Sequence, residues 1–237
     1  MSNLKKHRIV TNILIVLMLS GLMYFVFNIN SNYVFNYVNP EVIYNGDTST
    51  KKVSLMINVY WGNEYIGDIL CILKENGVKT TFFVGGSWAS RNPEIVKKIV
   101  DNGFEIGNHG YLHKDHDKIS AERQRQEITT CHDLIKQLTG VEMTLFAPPS
   151  GAYNRTTVEI CNTLNYKTIM WTLDTIDWRD KSSDLVFKRA TKKIQNGNLI
   201  LMHPTAHTLE ALPSVINAYT RAGIQLVSVS DNILSTI

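Results

Sequence analysis

Two hydrophobic periods alternate along the chain after residue 52, and this alternation predicts an α/β fold. Seven short apolar runs have the length and composition of buried strands: 53–59, 80–85, 104–109, 144–149, 167–174, 198–203 and 225–230. Between them lie six stretches with helical periodicity, at 65–75, 92–101, 121–138, 154–164, 184–194 and 209–221. Because crossover helices join parallel strands, we expect a (β/α) barrel of about seven units or an open doubly wound sheet.

The first fifty residues follow a different pattern. Residues 9–29 carry no charge, and as a helix they would extend roughly 30 Å, about the thickness of the hydrocarbon core of a bilayer. Three basic residues precede this run, namely Lys5, Lys6 and Arg8. The positive-inside rule then predicts a single-pass plasma-membrane anchor, with 1–8 cytoplasmic and the domain extracytoplasmic, whereas a cleaved signal peptide is the alternative. Residues 30–50, rich in Asn, Ser and Thr, predict a linker to a folded domain over 51–237.

Charge and cysteine content narrow the class of partner. The formal net charge is +3, and the three basic residues before the apolar run account for it, so the remainder is close to neutral. A neutral domain lacks the electrostatic footprint of a nucleic-acid-binding protein, which favours an uncharged or mixed-charge polymer. Cys71, Cys131 and Cys161 fall within predicted helices and share no CxxC spacing. They are typical of small core residues, although one disulfide with one free thiol stays open.

Polar side chains gather where the predicted strands end. His109 closes the third run and His203 the sixth, while 147–151 and 174–178 follow the fourth and fifth. Parallel strands present their carboxyl ends on one face, which is where barrels and open sheets build their sites. The sequence therefore predicts one functional site on that rim.

The segment HGYLH at 109–113 is the most informative part of this rim. Two imidazoles four residues apart converge when the chain turns between them, and Gly110 permits such a turn. Neutral imidazole is a preferred ligand of zinc and its neighbours. We therefore expect His109 and His113 to share one divalent ion, with two solvated loop histidines as the alternative.

Four motifs resemble, in order and spacing, those of the polysaccharide deacetylase family, the NodB homology domain of carbohydrate esterase family 4. They are HGYLH at 109–113, APPSGAYN at 147–154, DTIDW at 174–178 and LMH at 201–203. The resemblance covers about residues 53–235. The segments NVYWGNEY at 58–65 and EALPSVI at 210–216 resemble more particularly the branch associated with endospore formation.

This resemblance implies a deformed (β/α)7 barrel that removes the acetyl group from amino sugars of peptidoglycan or another N-acetylated polysaccharide. It implies a divalent metal ion, zinc or else cobalt, nickel or manganese, held by His109, His113 and an aspartate. His203 would protonate the departing amine, Asp174 would orient His203, and a backbone N–H near Ser150 would stabilise the oxyanion. Four residues would form the sugar-binding surface: Trp178, Pro148, Pro149 and Tyr153.

The chain departs from the family at three positions. Asn58 stands where the family has its base aspartate, and Val59 where many members have the metal-binding aspartate. An amide has no basic oxygen at neutral pH, so Asn58 cannot accept the proton. Ala147 replaces the arginine that braces the base. The loss of the base aspartate and the loss of the arginine are physically consistent with each other, because a guanidinium without its carboxylate would be buried unpaired.

Two functions therefore remain open. The first is a weak or altered metal-dependent deacetylase that uses a different base, with Asp177, His207 and Asp115 as candidates. The second is a catalytically inactive barrel that binds glycan or a partner protein. The retained histidines favour the first function, and Asn58 with Ala147 favour the second. An unrelated metal-dependent hydrolase would need a third ligand that the sequence does not identify, and no obligate protein partner is implied.

Overall fold

The computed structural model describes residues 3–32 and 42–233. The chain divides into two compact units, with the boundary between Asn39 and Pro40. The first unit contains helix α1 (Asn3–Asn32), which includes the segment 9–29 predicted to be transmembrane. In the described part of the chain no helix is both long and apolar enough to cross a membrane.

The second unit is built on a curled sheet in which every strand pair is parallel. Its described strands are β1 (Val42–Ile43), β2 (Lys52–Val59), β3 (Thr81–Val84), β4 (Glu105–Asn108), β5 (Leu145–Phe146), β6 (Lys167–Ile169), β7 (Leu173–Asp174), β8 (Leu199–Met202) and β9 (Gln225–Leu226). The order across the sheet is β1-β6-β5-β4-β3-β2-β8-β7, and β9 pairs with the start of β2.

Helices connect successive strands and cover the outside of the sheet. They are α2 (Asn63–Glu75), α3 (Gly86–Arg91), α4 (Pro93–Asp101), α5 (Ala121–Thr139), α6 (Arg155–Thr163), α7 (Ser183–Ala190), α8 (Ala206–Arg221) and α9 (Val229–Ile233). Short 3-10 turns occupy His116–Lys118 and Pro149–Gly151. The six predicted helices are confirmed to within a few residues, whereas α3 and α9 were not predicted.

The predicted strand 167–174 is two strands, and this split explains the shape of the sheet. β6 pairs with β5, whereas β7 pairs with β8 at the opposite end of the strand order. Between them, the Met170 N–H donates to Ile43 O at one end of the sheet, and the Thr172 N–H donates to Leu199 O at the other. The chain thus crosses between the two ends of a curled parallel sheet, which is consistent with the predicted deformed barrel.

Side chains on β2 alternate between two apolar cores. Leu55, Ile57 and Val59 pack in the larger core between sheet and helices, and Met56 packs in a smaller core inside the curl. The inner core also contains Phe83, Leu145, Ala147, Ile169, Leu199, Val229 and Ile233. This packing fills the interior of the curl and leaves an opening at the carboxyl ends of the strands.

The folded unit begins earlier than the predicted boundary at residue 51. Val42–Ile43 pairs with β6, so this part of the predicted linker 30–50 is a strand. Gly46 N–H then donates to Gly197 O at 2.7 Å, and Asp47 N–H donates to Asn232 O at 2.8 Å. A Cβ on Gly46 would lie 2.3 Å from the Asn232 amide oxygen, so only glycine permits this approach. Residues 33–41 of the predicted linker lie outside the described residues.

The cysteines are free thiols, and they differ in burial. Cys131 and Cys161 are buried, as expected for small core residues, whereas Cys71 is exposed on α2. The expectation of a core position is therefore wrong for Cys71, because this side chain lies on the solvent side of α2.

Candidate active site

A cleft of about 430 Å³ opens at the carboxyl ends of the strands. Its lining residues come from the predicted motifs, from the end of β2 and the residues after it, and from the crossing between β6 and β7: Asn58, Tyr60, Trp61, His109, His113, Ser150, Gly151, Trp171, Asp174, Trp178, Leu201 and His203. The prediction that the polar strand ends meet on one rim agrees with this arrangement.

The two histidines of HGYLH lie side by side at the end of β4. Gly110 has a φ of +72° and turns the chain between them, and its N–H donates to the Asn108 side chain. The imidazole centroids are 4.9 Å apart and the rings are inclined at 73°. His109 Nδ1–H donates to Ala147 O at 2.7 Å, which leaves its Nε2 as the ligating nitrogen.

Glu127, which sequence reasoning missed, supports the loop that carries His113. Its side chain is buried on α5, where it accepts the Leu112 N–H at 2.5 Å and pairs with Arg123 at 2.7 Å. The Tyr60 ring lies 4.8 Å from the His113 ring. One signal for Glu127 was available, namely a carboxylate on the apolar face of a predicted helix.

The histidine pair provides part of a metal site. Burial lowers the pKa of both imidazoles, and for His109 the neighbouring His113 lowers it further, which favours the neutral form that binds metals. No group of three His, Cys, Asp or Glu side chains that could hold an ion occurs within residues 3–32 and 42–233. Val59, at the position of the expected third ligand, packs in the larger core between the sheet and the helices. The residues therefore do not fit the three-ligand site that the resemblance implies.

Asn58 lies at the predicted base position and lines the cleft. The residue is 4% exposed, and its amide oxygen has no hydrogen-bond partner among the residues that the structure describes. Ala147 is fully buried in the inner core, where an arginine would have to displace apolar side chains. The carboxylate and the guanidinium are thus both replaced by uncharged groups in close-packed surroundings.

Asp177, and not Asp174, is the partner of His203. His203 Nδ1–H donates to Asp177 Oδ1 at 2.7 Å, and the His203 backbone N–H donates to Oδ2 at 2.6 Å. Asp174 instead accepts the Ile176 N–H at 2.8 Å in a tight turn and faces the cleft. The predicted role of Asp174 is therefore corrected, because the turn at Ile176 brings the second carboxylate of DTIDW beneath His203.

Ser150 lies in the cleft wall, as the resemblance implies. It has a left-handed backbone conformation, with a φ of 56°, at the centre of the short 3-10 turn. Such strain in a residue other than glycine is common where a backbone group is positioned for function. Hydrogen bonds from Lys118 and, to a smaller extent, from Ser150 hold the pKa of the Asp115 carboxyl below its usual value.

The predicted sugar-binding residues divide into two groups. Trp178 lines the cleft and is 56% exposed, which suits a platform for a sugar ring. Pro148, Pro149 and Tyr153 do not line it. The Tyr153 hydroxyl is 2.5 Å from the Tyr44 hydroxyl, and this hydrogen bond raises the pKa of Tyr153 to about 12. Tyr153 therefore joins the segment before β2 to the third motif.

Two tryptophans in the cleft were not assigned from the sequence. The Trp61 indole stacks on the His203 imidazole, with centroids 5.8 Å apart and planes inclined at 9°. Trp171 lies on the crossing between β6 and β7. Trp61 lies two residues after the end of β2, the strand that carries the base position, and this placement could have marked it as a site residue.

Comparison with known proteins agrees with the motifs. Residues 45–169 match the polysaccharide deacetylase family. The chain belongs to this family. It is 40% identical to the uncharacterized protein YlxY of Bacillus subtilis over 194 residues, which cover 82% of this chain and 61% of that protein. It is 26% identical to the peptidoglycan-N-acetylmuramic acid deacetylase PdaA of Bacillus subtilis, covering 81% of this chain and 74% of that protein.

A solved structure shares both the fold and a comparable level of identity. It is a pseudoenzyme of carbohydrate esterase family 4 from Bacillus anthracis, with a TM-score of 0.80 and 39% identity, covering 81% of this chain and 69% of that one. A mutant of that protein, described as having restored enzymatic activity, has the same TM-score and 38% identity, covering 81% of this chain and 71% of that one. The family thus contains both peptidoglycan deacetylases and inactive relatives.

Proposed function

We propose that this protein binds an amino-sugar glycan of the cell-wall type in its cleft and has lost deacetylase activity. The observation that carries the proposal is the buried amide of Asn58 at the position of the catalytic base. An amide oxygen is not basic at neutral pH, so it cannot take a proton from an attacking water. Loss of a general base lowers the rate by roughly 10² to 10⁴.

None of the three suggested replacement bases is suitably placed. Asp177 has a fully buried side chain, and both its oxygens already accept hydrogen bonds. The Asp115 carboxyl pairs with Lys118 at 2.7 Å, and hydrogen bonds from Lys118 and Ser150 lower its pKa, which makes it a weaker base. His207 lies on α8 and is not among the residues that line the cleft.

The retained His203–Asp177 pair has a structural role that does not require catalysis. Asp177 Oδ2 accepts the Thr208 hydroxyl at 2.5 Å as well as the backbone N–H of His203. The pair therefore fastens the DTIDW turn to the end of β8 and the first turn of α8. An inactive barrel would also keep this pair, because the pair stabilises the fold. Its presence is therefore not by itself evidence of catalytic turnover.

Acetate release tests the proposal. The full chain, Asn58→Asp and Asn58→Ala are assayed on N-acetylglucosamine oligomers with added divalent metal. We expect background release from the full chain and from Asn58→Ala, and a gain of roughly 10² from Asn58→Asp, because the substitution adds a base with little change in shape. Release by the unaltered chain at the rate of an active deacetylase would contradict the proposal.

A second experiment concerns Ala147, which stands where the family has an arginine. Because Ala147 is packed in the inner core, Ala147→Arg alone should destabilise the protein through overpacking and an unpaired charge. The double variant Asn58→Asp, Ala147→Arg gives the guanidinium a carboxylate partner. A further gain in acetate release is expected only in the double variant, and no gain in either variant would place the defect elsewhere.

A residual deacetylase is the second candidate, and the observation that favours it is the cleft position of Asp174. This is the one carboxylate among the described residues that line the cleft. Acetate release that is measurable above background, and that disappears in Asp174→Asn, would favour this candidate over the first.

The proposal includes a divalent ion, zinc first, held by His109 and His113. With two protein ligands the affinity should be well below that of a three-ligand site. Metal analysis of the full chain beside the double variant His109→Ala, His113→Ala tests it. Equal metal content in the two proteins would reject the site.

The proposed cell-wall ligand also implies where in the cell the domain is located. An extracytoplasmic position at the plasma membrane is part of this proposal, because cell-wall glycan lies there and Lys5, Lys6 and Arg8 precede the apolar segment. Protease accessibility of the domain in intact protoplasts tests it. Protection of the domain would contradict this location.

A further inference from the structure

We propose that the cleft selects glycan units that carry a free, protonated amine over N-acetylated units. The proposal rests on the proposed function, since it assumes that this cleft binds an amino-sugar glycan. Its ligand is thus chemically the product of deacetylation rather than the substrate.

The charge of the cleft is the first observation. No Lys or Arg is among the described residues that line it, and Asp174 is the one carboxylate. The remaining lining residues are uncharged side chains and three histidines. In a partly desolvated cleft a carboxylate attracts a cation more strongly than it does in bulk water.

The second observation is that Asp174 is only partly engaged by the protein. Its Oδ1 accepts the Ile176 N–H, whereas its Oδ2 makes no hydrogen bond or ion pair with any residue in the described ranges. The nearby guanidinium of Arg179 is instead held by Asp180, at 2.9 and 3.0 Å. Asp174 can therefore accept a charge-assisted hydrogen bond from a ligand.

Aromatic side chains supply the third observation. Trp61, Trp171 and Trp178 line the same cleft, and Trp61 and Trp178 are 43% and 56% exposed. Indole faces attract cations and also pack against the apolar face of a sugar ring. A carboxylate beside indole faces is the arrangement that recognises an ammonium group on a largely apolar ring.

The neutral acetamide of an N-acetylated unit gains less from this arrangement. It brings no charge to Asp174, and the carbonyl oxygen it adds is an acceptor, which a carboxylate cannot satisfy. The base aspartate, which would be a second carboxylate in the cleft, is here Asn58. The preference therefore depends on Asp174.

Binding of matched tetrasaccharides to the full chain tests the proposal. Calorimetry with the glucosamine tetramer and the N-acetylglucosamine tetramer is carried out in chelator, at a pH where the amine is protonated. We expect the glucosamine tetramer to bind about tenfold tighter or more, as for a hydrogen bond between charged groups. Asp174→Asn should remove this preference, because an amide can still accept the Ile176 N–H but carries no charge.

Asp68→Asn is the matched control, because Asp68 is an exposed carboxylate on α2 outside the cleft. It should retain the full preference. A pelleting assay with isolated peptidoglycan before and after chemical re-N-acetylation then tests whether cell-wall glycan supplies the amine, and binding only to the untreated glycan is expected. Equal pelleting in the two samples would overturn cell-wall glycan as the source.

The outcomes separate the two proposals. Equal or tighter binding of the N-acetylated tetramer, or an unchanged preference in Asp174→Asn, overturns this inference and leaves the proposed function standing. Failure of both tetramers and of peptidoglycan to bind overturns the proposed function and this inference together.

Discussion

Asp177 joins three parts of the molecule through one buried carboxylate. Its oxygens accept hydrogen bonds from the His203 ring, the His203 backbone and the Thr208 hydroxyl. A buried carboxylate that loses such partners is strongly destabilising, because the charge remains without compensation. Asp174, three positions earlier in the chain, accepts one local hydrogen bond and faces the cleft.

The same substitution should therefore affect stability strongly at Asp177 and very little at Asp174. Asp177→Asn replaces one acceptor by an amide N–H that faces other donors, and should lower the free energy of unfolding by about 2–3 kcal/mol. Asp174→Asn keeps an acceptor for the Ile176 N–H and should change the free energy of unfolding by less than about 0.5 kcal/mol. Urea unfolding of both variants measures this, and equal effects would contradict the assignment of Asp177 as the partner of His203.

Ile176 is held in a left-handed conformation that β-branched residues rarely adopt. Its φ is +52°, and it lies between the two aspartates of the DTIDW motif. A single residue of this kind costs about 1–2 kcal/mol relative to the right-handed region. Asn165 adopts nearly the same φ of +58°, but asparagine tolerates this region.

Ile176→Asn should consequently raise the free energy of unfolding by about 0.5–1 kcal/mol. Ile176→Val is the control, because valine is also β-branched and should give no gain. Thermal and urea unfolding measure both variants. Destabilisation by Ile176→Asn would show that packing of this side chain outweighs the backbone strain.

At the scale of elements, the short turn His116–Lys118 carries an unusual buried histidine. His116 is fully buried against Phe146, with ring centroids 4.9 Å apart. Neither ring nitrogen has a hydrogen-bond partner within the described parts of the chain. Burial lowers the pKa of His116 to about 4, so the folded protein holds this ring neutral.

This histidine should make stability depend on pH. Its pKa is lower in the folded than in the unfolded chain, so its contribution is complete above about pH 6.5 and is lost as the pH falls towards about 4. The loss is on the order of 3 kcal/mol. Burial also lowers the pKa of His109 and His113, which adds to the effect in the same direction.

His116→Leu should reduce the loss of stability between pH 7 and pH 4 and raise stability at pH 7 by about 1–2 kcal/mol, because two unpaired buried nitrogens are removed. Urea unfolding across this pH range measures both effects. His207→Leu, at a partly exposed position on α8, is the matched control for the substitution itself. An unchanged pH dependence in His116→Leu would rule out His116 as its source.

At the scale of the whole molecule, periodicity predicts the covering helices and the parallel sheet but not how the sheet closes. The apolar run at 167–174 is continuous, and nothing in it shows that Met170–Thr172 leaves one end of the sheet and reaches the other. That crossing depends on contacts with Ile43 and Leu199, which are remote in the chain. The two-residue strand β1 lies in polar surroundings and is too short to have a period.

The candidate site shows the same division between local pattern and distant contact. Motif order places His109, His113, Asn58 and His203 on one rim, and the structure brings them together in one cleft. Motif spacing does not reveal which aspartate of DTIDW turns towards His203, because that depends on the conformation of Ile176. Nor does it reveal that Tyr153 bonds Tyr44 instead of facing the glycan.

The start of the folded unit gives a prediction for the molecule as a whole. A variant beginning at Lys51 lacks β1 and the backbone hydrogen bonds from Gly46 and Asp47, whereas one beginning at Pro40 keeps them. The shorter variant loses the pairing of β1 with β6 and three further backbone hydrogen bonds, including that from Met170 to Ile43, so we expect it to be less stable by about 2–4 kcal/mol. For a domain of this size the difference corresponds to a melting temperature lower by about 5–10 °C. Calorimetry of the two variants measures it, and equal melting temperatures would mean that the first strand is an addition to a barrel that is already stable without it.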